Sequence, residues 1–411
     1  MKLRVNSDRL WRNLIETARF GGTPDGGVCR LTLSPEDAQV RDWLAEYASK
    51  LGCHLSVDRF GNMFVTRPGR RDDLAPVAMG SHLDTQPTGG RFDGILGVLA
   101  GLEVLETLTE AGVETEAPVM LVNWTNEEGS RFSPAMMGSA VHAGTQPLDR
   151  ALACTDAQGI SMAQALADHG RPGDMDAGTI PLGAMFELHI EQGPVLEQNK
   201  VPVGVVTGVQ GMRWYDLRFT GQSAHAGTTP MNHRADAALA AARLMMEMSE
   251  CARALGGVIT FGDISVPRAS RNVVAGEVRL TVDARHPTVE GLDGMEQGLT
   301  DLVNAAGPVN VEIARLYSSA PVKFDPGCIA AVRKGAEVEQ AAWRDIVSGA
   351  GHDAVACATI APTAMIFVPC KDGISHNPAE SATQADCGLG AQVLLNAVLD
   401  YQPRIVTDGA G

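Results

Sequence analysis

The hydrophobic period of the chain changes near Gly211, and this change limits its fold more than any other feature. Before it, apolar residues come in runs, at 75–80 (APVAMG) and 117–125 (APVMLVNWT), that read as buried strands. Between the runs, Ile95, Leu99, Leu102 and Leu105 recur at helical spacing. Upstream, Ser34-Pro35-Glu36-Asp37 opens another helix, with a Ser cap, Pro at the first position and acids in the first turn, and Gly52 closes it. Strand, helix, strand in that order predicts an α/β domain with a mostly parallel sheet covered by helices.

After Gly211 the pattern alternates, with Tyr215, Leu217 and Phe219 separated by Asp216 and Arg218. A helix beginning at Thr229-Pro230 follows, then the strand GVITFGDI and a strand with Val278, Leu280 and Val282 in alternation. A helical stretch near 289–306 and the strand PVNVEIARL complete the order βαββαβ, a ferredoxin-like α+β unit. The α/β texture then returns and ends in a helix through GLGAQVLLNAVLDY. The expected organisation is a discontinuous domain, residues 1–210 and 325–411, with a second domain, 211–324, inserted into it. A chain of 411 residues is too long for one simple core, in keeping with that division.

The formal net charge of -16 and the 5% aromatic content argue against a nucleic-acid partner, which needs clustered cations or stacking rings. The opening MKLRVNSDRLWRNLIETARF is interrupted by charges, and no run approaches the roughly 18 apolar residues of a membrane span. The eight cysteines are scattered from Cys29 to Cys387 without a CxxC pair, which reads as free thiols in a reducing cytoplasm. Any metal must then be held by His and carboxylates.

Such residues recur beside the apolar segments. In Gly80-Ser81-His82-Leu83-Asp84, His82 and Asp84 share one face of an extended chain at a strand end. That is either a metal-binding His with a carboxylate beside it or an ordinary His–Asp hydrogen bond. Asp93, between Phe92 and Gly94, is either a helix N-cap or a carboxylate bridging two metals. Glu127 and Glu128 leave a buried strand together, which suits one as a ligand and the other as a general base, or simply a solvated turn. His189 lies opposite Leu188 and Ile190 in FELHIEQGP, as a ligand or an edge-strand His, and His376 in SHNP as a ligand or a turn residue. Together they supply enough His and acid for two four-coordinate metals sharing a carboxylate.

At these residues the chain resembles the M20 metallopeptidase family of dizinc hydrolases. More narrowly, GSHLDTQPTGGRFDG, NWTNEEGSRF, LHIEQGP, GQSAHAGTTPM and GISHNPAE are similar to the branch that hydrolyses N-carbamoyl amino acids and allantoate. The similarity spans most of the chain. It implies a dizinc aminopeptidase-like catalytic domain carrying an inserted lid or dimerisation domain. It also implies two divalent metal ions, zinc foremost with manganese or cobalt as alternatives, held by His82, Asp93, Glu128, His189 and His376. Asp93 would bridge, and Glu128 and His376 would complete the second metal. His82 and His189 would serve one metal each, or one jointly.

By the same resemblance Asp84 would orient His82, and Glu127 would be the general base. His225, in SAHAG, would stabilise the oxyanion from the partner subunit of a homodimer. Asn272 and Arg285 would bind the substrate carboxylate, and Gln192 and His352 would make further substrate contacts. Arg285 shares strand parity with Asp283 and Arg279, away from the apolar face, although a surface ion pair would place it there too. The implied reaction cleaves the ureido C–N bond of an N-carbamoyl α- or β-amino acid to the amino acid, carbon dioxide and ammonia. Rivals are an allantoate amidohydrolase, a dipeptidase, a catalytically dead ligand-binding homologue, and a structural protein with coincidental His and acids.

Overall fold

A computed structural model of the chain describes residues 3–169 and 172–408. It forms two compact units, one taking the chain up to Thr207 and again from Phe324, the other being Gly208–Lys323.

The first unit is built on a mixed sheet. Its order is His54–Val57, Met63–Arg67, Val119–Trp124, Val77–His82, Ala184–Ile190, Thr363–Val368 and Val203–Val209, with Trp343–Ser348 also pairing the last of these. From Val119–Trp124 to Thr363–Val368 the pairing is parallel. Antiparallel strands flank this centre on both sides. Every residue of the four central strands is buried; three read as mainly apolar runs, while Ala184–Ile190 carries Glu187 and His189 between its apolar residues. Each fully buried aliphatic or Phe side chain in them contributes roughly 1.5–3 kcal/mol. Helices Ile95–Glu110 and Gln384–Asp408 pack on the sheet and on each other. Across the sheet, Phe64, Met120, Trp124, Met185 and Cys357 form a second apolar layer.

Local signals set several helix ends. Helix Pro35–Lys50 has Ser34 as its cap, accepting from the Asp37 N–H at 3.3 Å, with Pro at the start and Gly52 at φ 71° just past its end. The cysteines are all free. Among the described residues no helix is long and apolar enough to cross a membrane.

The second unit is ferredoxin-like. Its sheet runs Asn310–Ser319, Gly211–Thr220, Glu277–His286, Val258–Ser265, all antiparallel, which is the fourth, first, third and second strand in chain order. Tyr215, Leu217, Phe219, Val278, Leu280 and Val282 share one face with the buried residues of helices Ala237–Leu255 and Val289–Asn304. Trp214, Asp216, Arg218, Arg279 and Thr281 lie on the exposed face.

One expectation is corrected here. The first helix of the second unit does not begin at Thr229-Pro230. The chain first passes through the 3-10 turn Met231–His233, and the helix starts at Ala237. Asp236 is the true cap, its Oδ1 accepting the N–H groups of Ala238 and Leu239, both at 3.1 Å. Thr-Pro imitates a cap followed by a first-turn proline, but the Thr229 side chain does not cap a helix. Asp236→Ala should therefore destabilise this unit by about 1 kcal/mol in chemical denaturation, while Thr229→Ala should be neutral. The reverse pattern would contradict the assigned helix start.

Candidate metal centre

The four parallel strands deliver their polar residues to the same end of the sheet. His82 closes Val77–His82, and His189 lies one residue from the end of Ala184–Ile190. Thr125-Asn126-Glu127-Glu128 leaves Val119–Trp124 directly, and Ser375-His376 follows Thr363–Val368 after a short turn. The carboxyl ends of parallel strands are where open α/β sheets bind ligands. His189 sits on a central strand between two neighbours, not on an edge. Three of the connecting residues take positive φ: Asn126 at 63°, Gln192 at 57° and His376 at 54°. Such backbone persists only where its surroundings over-determine it. For Asn126 they do: its Nδ2 donates to the carbonyls of Phe132 at 2.8 Å and Pro134 at 3.2 Å. Buried Arg41 braces the same turn, donating to Thr125 Oγ1 at 3.2 Å and to the Gly61 carbonyl at 2.8 Å.

Asp93 lies at the centre. Its Oδ1 is 3.2 Å from His189 Nε2 and 3.5 Å from His82 Nε2. Its Oδ2 is 3.5 Å from His376 Nε2 and accepts from Ser375 Oγ at 2.7 Å and Gln192 Nε2 at 2.8 Å. Glu128 Oε2 is 3.4 Å from His376 Nε2, and Glu127 Oε2 is 3.4 Å from His82 Nε2. The donors thus fall into two groups that share Asp93: His82 and His189 on one oxygen, Glu128 and His376 on the other. The sequence left two pairings open for His82 and His189. Here both face the same oxygen.

The ring tautomers follow from the backbone. His82 Nδ1 donates to the Asp84 carbonyl and His189 Nδ1 to the Ile190 carbonyl, both at 2.9 Å. This turns Nε2 of each ring toward Asp93, where it carries the lone pair in the neutral form, and the Gly94 N–H donates to that atom of His189 at 3.1 Å. Gly94 has φ 67°, and a Cβ there would lie 2.3 Å from the His82 ring, so no other residue fits.

The electrostatics demand positive charge. Asp84, Asp93, Glu127, Glu187, Asp353 and Glu380 are buried, and the Glu128 side chain is 5% exposed. Burial pushes Glu127 well above the usual carboxylate range, opposed by His82 and reinforced by Asp353 and Glu128. Burial, with the Asp93 charge, lifts Glu128 to about 8 and Glu380 to about 7. Burial would raise Asp93 too, but the His189 and His82 rings hold it well below the usual range. Burial lowers His352 far below its ordinary value, and neighbouring His189 adds to this, so the ring is neutral. Burial would lower His82 and His189, but Glu127 and Asp93 respectively raise them above the ordinary imidazole range, so the crowded acids and rings either share protons or enclose cations. The donor set fits divalent cations of the zinc, manganese or cobalt kind.

Other expected residues have more specific partners than the sequence conveyed. The Asp84 carboxylate is 3.8 Å from His82 Nδ1, so its carbonyl is the nearer partner of that ring. The carboxylate instead accepts the N–H of Glu127 at 3.3 Å, that of Glu128 at 3.2 Å, and Thr32 Oγ1 at 2.8 Å. His352 is buried, 2.9 Å from Ser348 Oγ, with its ring 4.7 Å from that of His189.

In the second unit, His225 is exposed on Ala224–His225, which pairs with Val273–Val274 beside Asn272. Its Nδ1 accepts the N–H groups of Gly227 at 3.1 Å and Thr228 at 3.3 Å, which leaves the ring proton on Nε2. Arg285 Nη2 donates to Asp283 Oδ2 at 2.7 Å.

Sequence reasoning missed the supporting residues. Gln86 holds Glu128 through its N–H at 3.1 Å and Nε2 at 2.7 Å. Glu187 accepts from Ser81 Oγ at 2.6 Å and from the Ala354 N–H at 3.0 Å. Gln86 and Glu380 both lie inside the motifs quoted above, but nothing local marks their partners.

The model of "Peptidase family M20/M25/M40" matches residues 78–400. An N-carbamoyl-L-amino-acid amidohydrolase of Rhizobium meliloti is 44% identical over 97% of each chain. An N-carbamoyl-L-amino acid amidohydrolase of Geobacillus stearothermophilus is 39% identical over 96% of this chain and 98% of its own. The crystal structure of an amidase of the hydantoinase/carbamoylase family from Burkholderia multivorans superposes with a TM-score of 0.93 at 48% identity, covering 97% of this chain and 98% of that one. Matched over most of its length in sequence and in fold, the chain belongs to peptidase family M20/M25/M40.

Proposed function

We propose that this protein hydrolyses N-carbamoyl amino acids at the ureido C–N bond, releasing the amino acid, carbon dioxide and ammonia. The observation that carries the reading is the Asp93 constellation, in a chain 44% identical over 97% of its length to an enzyme named for that substrate class. His82 and His189 with Asp93 Oδ1 would hold one divalent cation, and Glu128 and His376 with Asp93 Oδ2 the other. Such a pair supplies Lewis-acid polarisation of the carbonyl and lowers the pKa of a water toward about 7. Zinc is the proposed native metal.

Glu127 takes a proton from the attacking water. Its burial and its acidic neighbours make the carboxyl a strong proton acceptor. Attack at the ureido carbonyl gives a tetrahedral oxyanion, to which His225 presents its Nε2–H from the neighbouring subunit of a homodimer. Glu127 then passes the proton to the leaving nitrogen. The C–N bond breaks, and the carbamic acid left behind decomposes to carbon dioxide and ammonia. Asn272 and Arg285 hold the substrate carboxylate; the planar, permanently charged guanidinium suits that task. Gln192 and His352 flank the reacting group. The working compartment we propose is the cytoplasm, where the free thiols stay reduced.

Purified protein should release ammonia from N-carbamoyl-L-amino acids or N-carbamoyl-β-alanine. Glu127→Gln should lose about 10²–10⁴ of that turnover at unchanged metal content. Hydrolysis of allantoate alone, or full turnover by Glu127→Gln, would overturn the substrate and the base respectively.

Shared sites predict complementation. Mixing and refolding Glu127→Gln with His225→Ala, each inactive alone, should restore part of the activity through hybrid dimers carrying one intact site. A mixture no more active than its components would show that each chain works with its own His225.

A further inference from the structure

The segment GISHNPAE supplies His376, and it also brings in Ser375 and Glu380, for which the proposed reaction has no task. Glu380 is 4% exposed. Its Oε1 accepts the N–H of Phe92 at 2.9 Å and of Asp93 at 3.1 Å, across 288 and 287 residues of sequence. Its Oε2 lies 3.0 Å from Ser375 Oγ, and the same hydroxyl is 2.7 Å from Asp93 Oδ2. The Glu380 N–H donates to the Asn377 carbonyl at 2.9 Å, which closes the turn that carries both residues. Asp93 is therefore gripped at two points by one side chain, at its backbone directly and at its carboxylate through Ser375. Held at backbone and carboxylate together, with Gln192 Nε2 also donating to Oδ2 at 2.8 Å, Asp93 keeps one oxygen toward each group of donors. The loop is also moulded to this carboxyl: a Cβ on Gly90 would lie 2.1 Å from the Glu380 carboxyl carbon.

We infer that Glu380, acting with Ser375, is the positioning residue that sets the orientation of the Asp93 carboxylate between the two cation sites; this rests on the reading of Asp93 as their bridge. A group that only capped two N–H groups would not need its second oxygen on a hydroxyl bound to Asp93. Partners that orient ligands typically change metal affinity 10- to 100-fold when removed. Glutamine in place of Glu380 keeps the Oε1 acceptor and offers an N–H to Ser375 Oγ, so the position of Asp93 survives. Alanine removes the backbone anchor and leaves Ser375, which still reaches Asp93, without its hold on the turn.

The test titrates the metal-stripped protein with zinc against a competing chelator, and separately with cobalt, reading the visible absorption bands that report coordination geometry. Glu380→Ala should bind both ions 10- to 100-fold more weakly and shift the cobalt bands, while Glu380→Gln restores both. If Glu380→Ala does not fold, Gly90→Ala, which displaces the carboxyl, and Ser375→Ala, which cuts the hydroxyl link, should show the same weakening. Wild-type affinity and spectrum in Glu380→Ala, or in both substitutes, would overturn the inference. So would a Glu380→Gln as impaired as Glu380→Ala, which would assign the effect to charge instead of position. A wild-type protein that takes up fewer than two cations would overturn the bridge itself, and so is distinguishable from failure of the clamp.

Discussion

One buried carboxylate organises the site. Asp93 sits at the carboxyl ends of parallel strands with each oxygen facing a different set of donors. A charge in that position is tolerable only if its surroundings answer it, because desolvating an unpaired carboxylate costs many kcal/mol. Histidine rings answer it from two central strands and from the loop after a third. Backbone carbonyls of Asp84 and Ile190 fix the orientation of the two strand-borne rings. The parallel sheet exists upstream of this arrangement. Its central strands are buried throughout, so their register is firmly held and their ends are rigid platforms.

Around this centre the acids divide by their partners. Asp93 is held ionised by two rings, while Glu127 and Glu128, adjacent in sequence, are raised by burial. Asp84 accepts both of their N–H groups and so fixes the turn that points them in different directions. The second unit buries one face of its sheet against its two helices and offers His225 Nε2–H from a short strand pair of its own.

Much of this was legible in the chain, for reasons that differ by residue. Three of the central strands could be read because burial on both faces makes them apolar runs, and the helix Pro35–Lys50 because its cap and end are local. The start of helix Ala237–Leu255 was misplaced because Thr229-Pro230 also has the chemistry of a helix start, and both it and Asp236, whose Oδ1 is the actual cap, precede the same apolar run. The site's residue types were visible, since HxD, EE and isolated His beside apolar runs are unusual company. Their pairing was not, because which oxygen of Asp93 meets which ring is set by strand order. The nearest partner of the His82 ring is a carbonyl, which carries no sequence signal. Glu380 stood in plain view four residues after His376, but the Phe92 and Asp93 backbone it holds lies nearly the whole domain away.

The central claim is that Asp93 bridges two cations, and anomalous diffraction from crystals grown with zinc tests it most directly. Two peaks roughly 3.5–4 Å apart are predicted. One should be coordinated by His82, His189 and Asp93, the other by Asp93, Glu128 and His376. A single peak, or one held instead by Glu187, His189 and His352, the third group whose ligand atoms converge, would contradict the account.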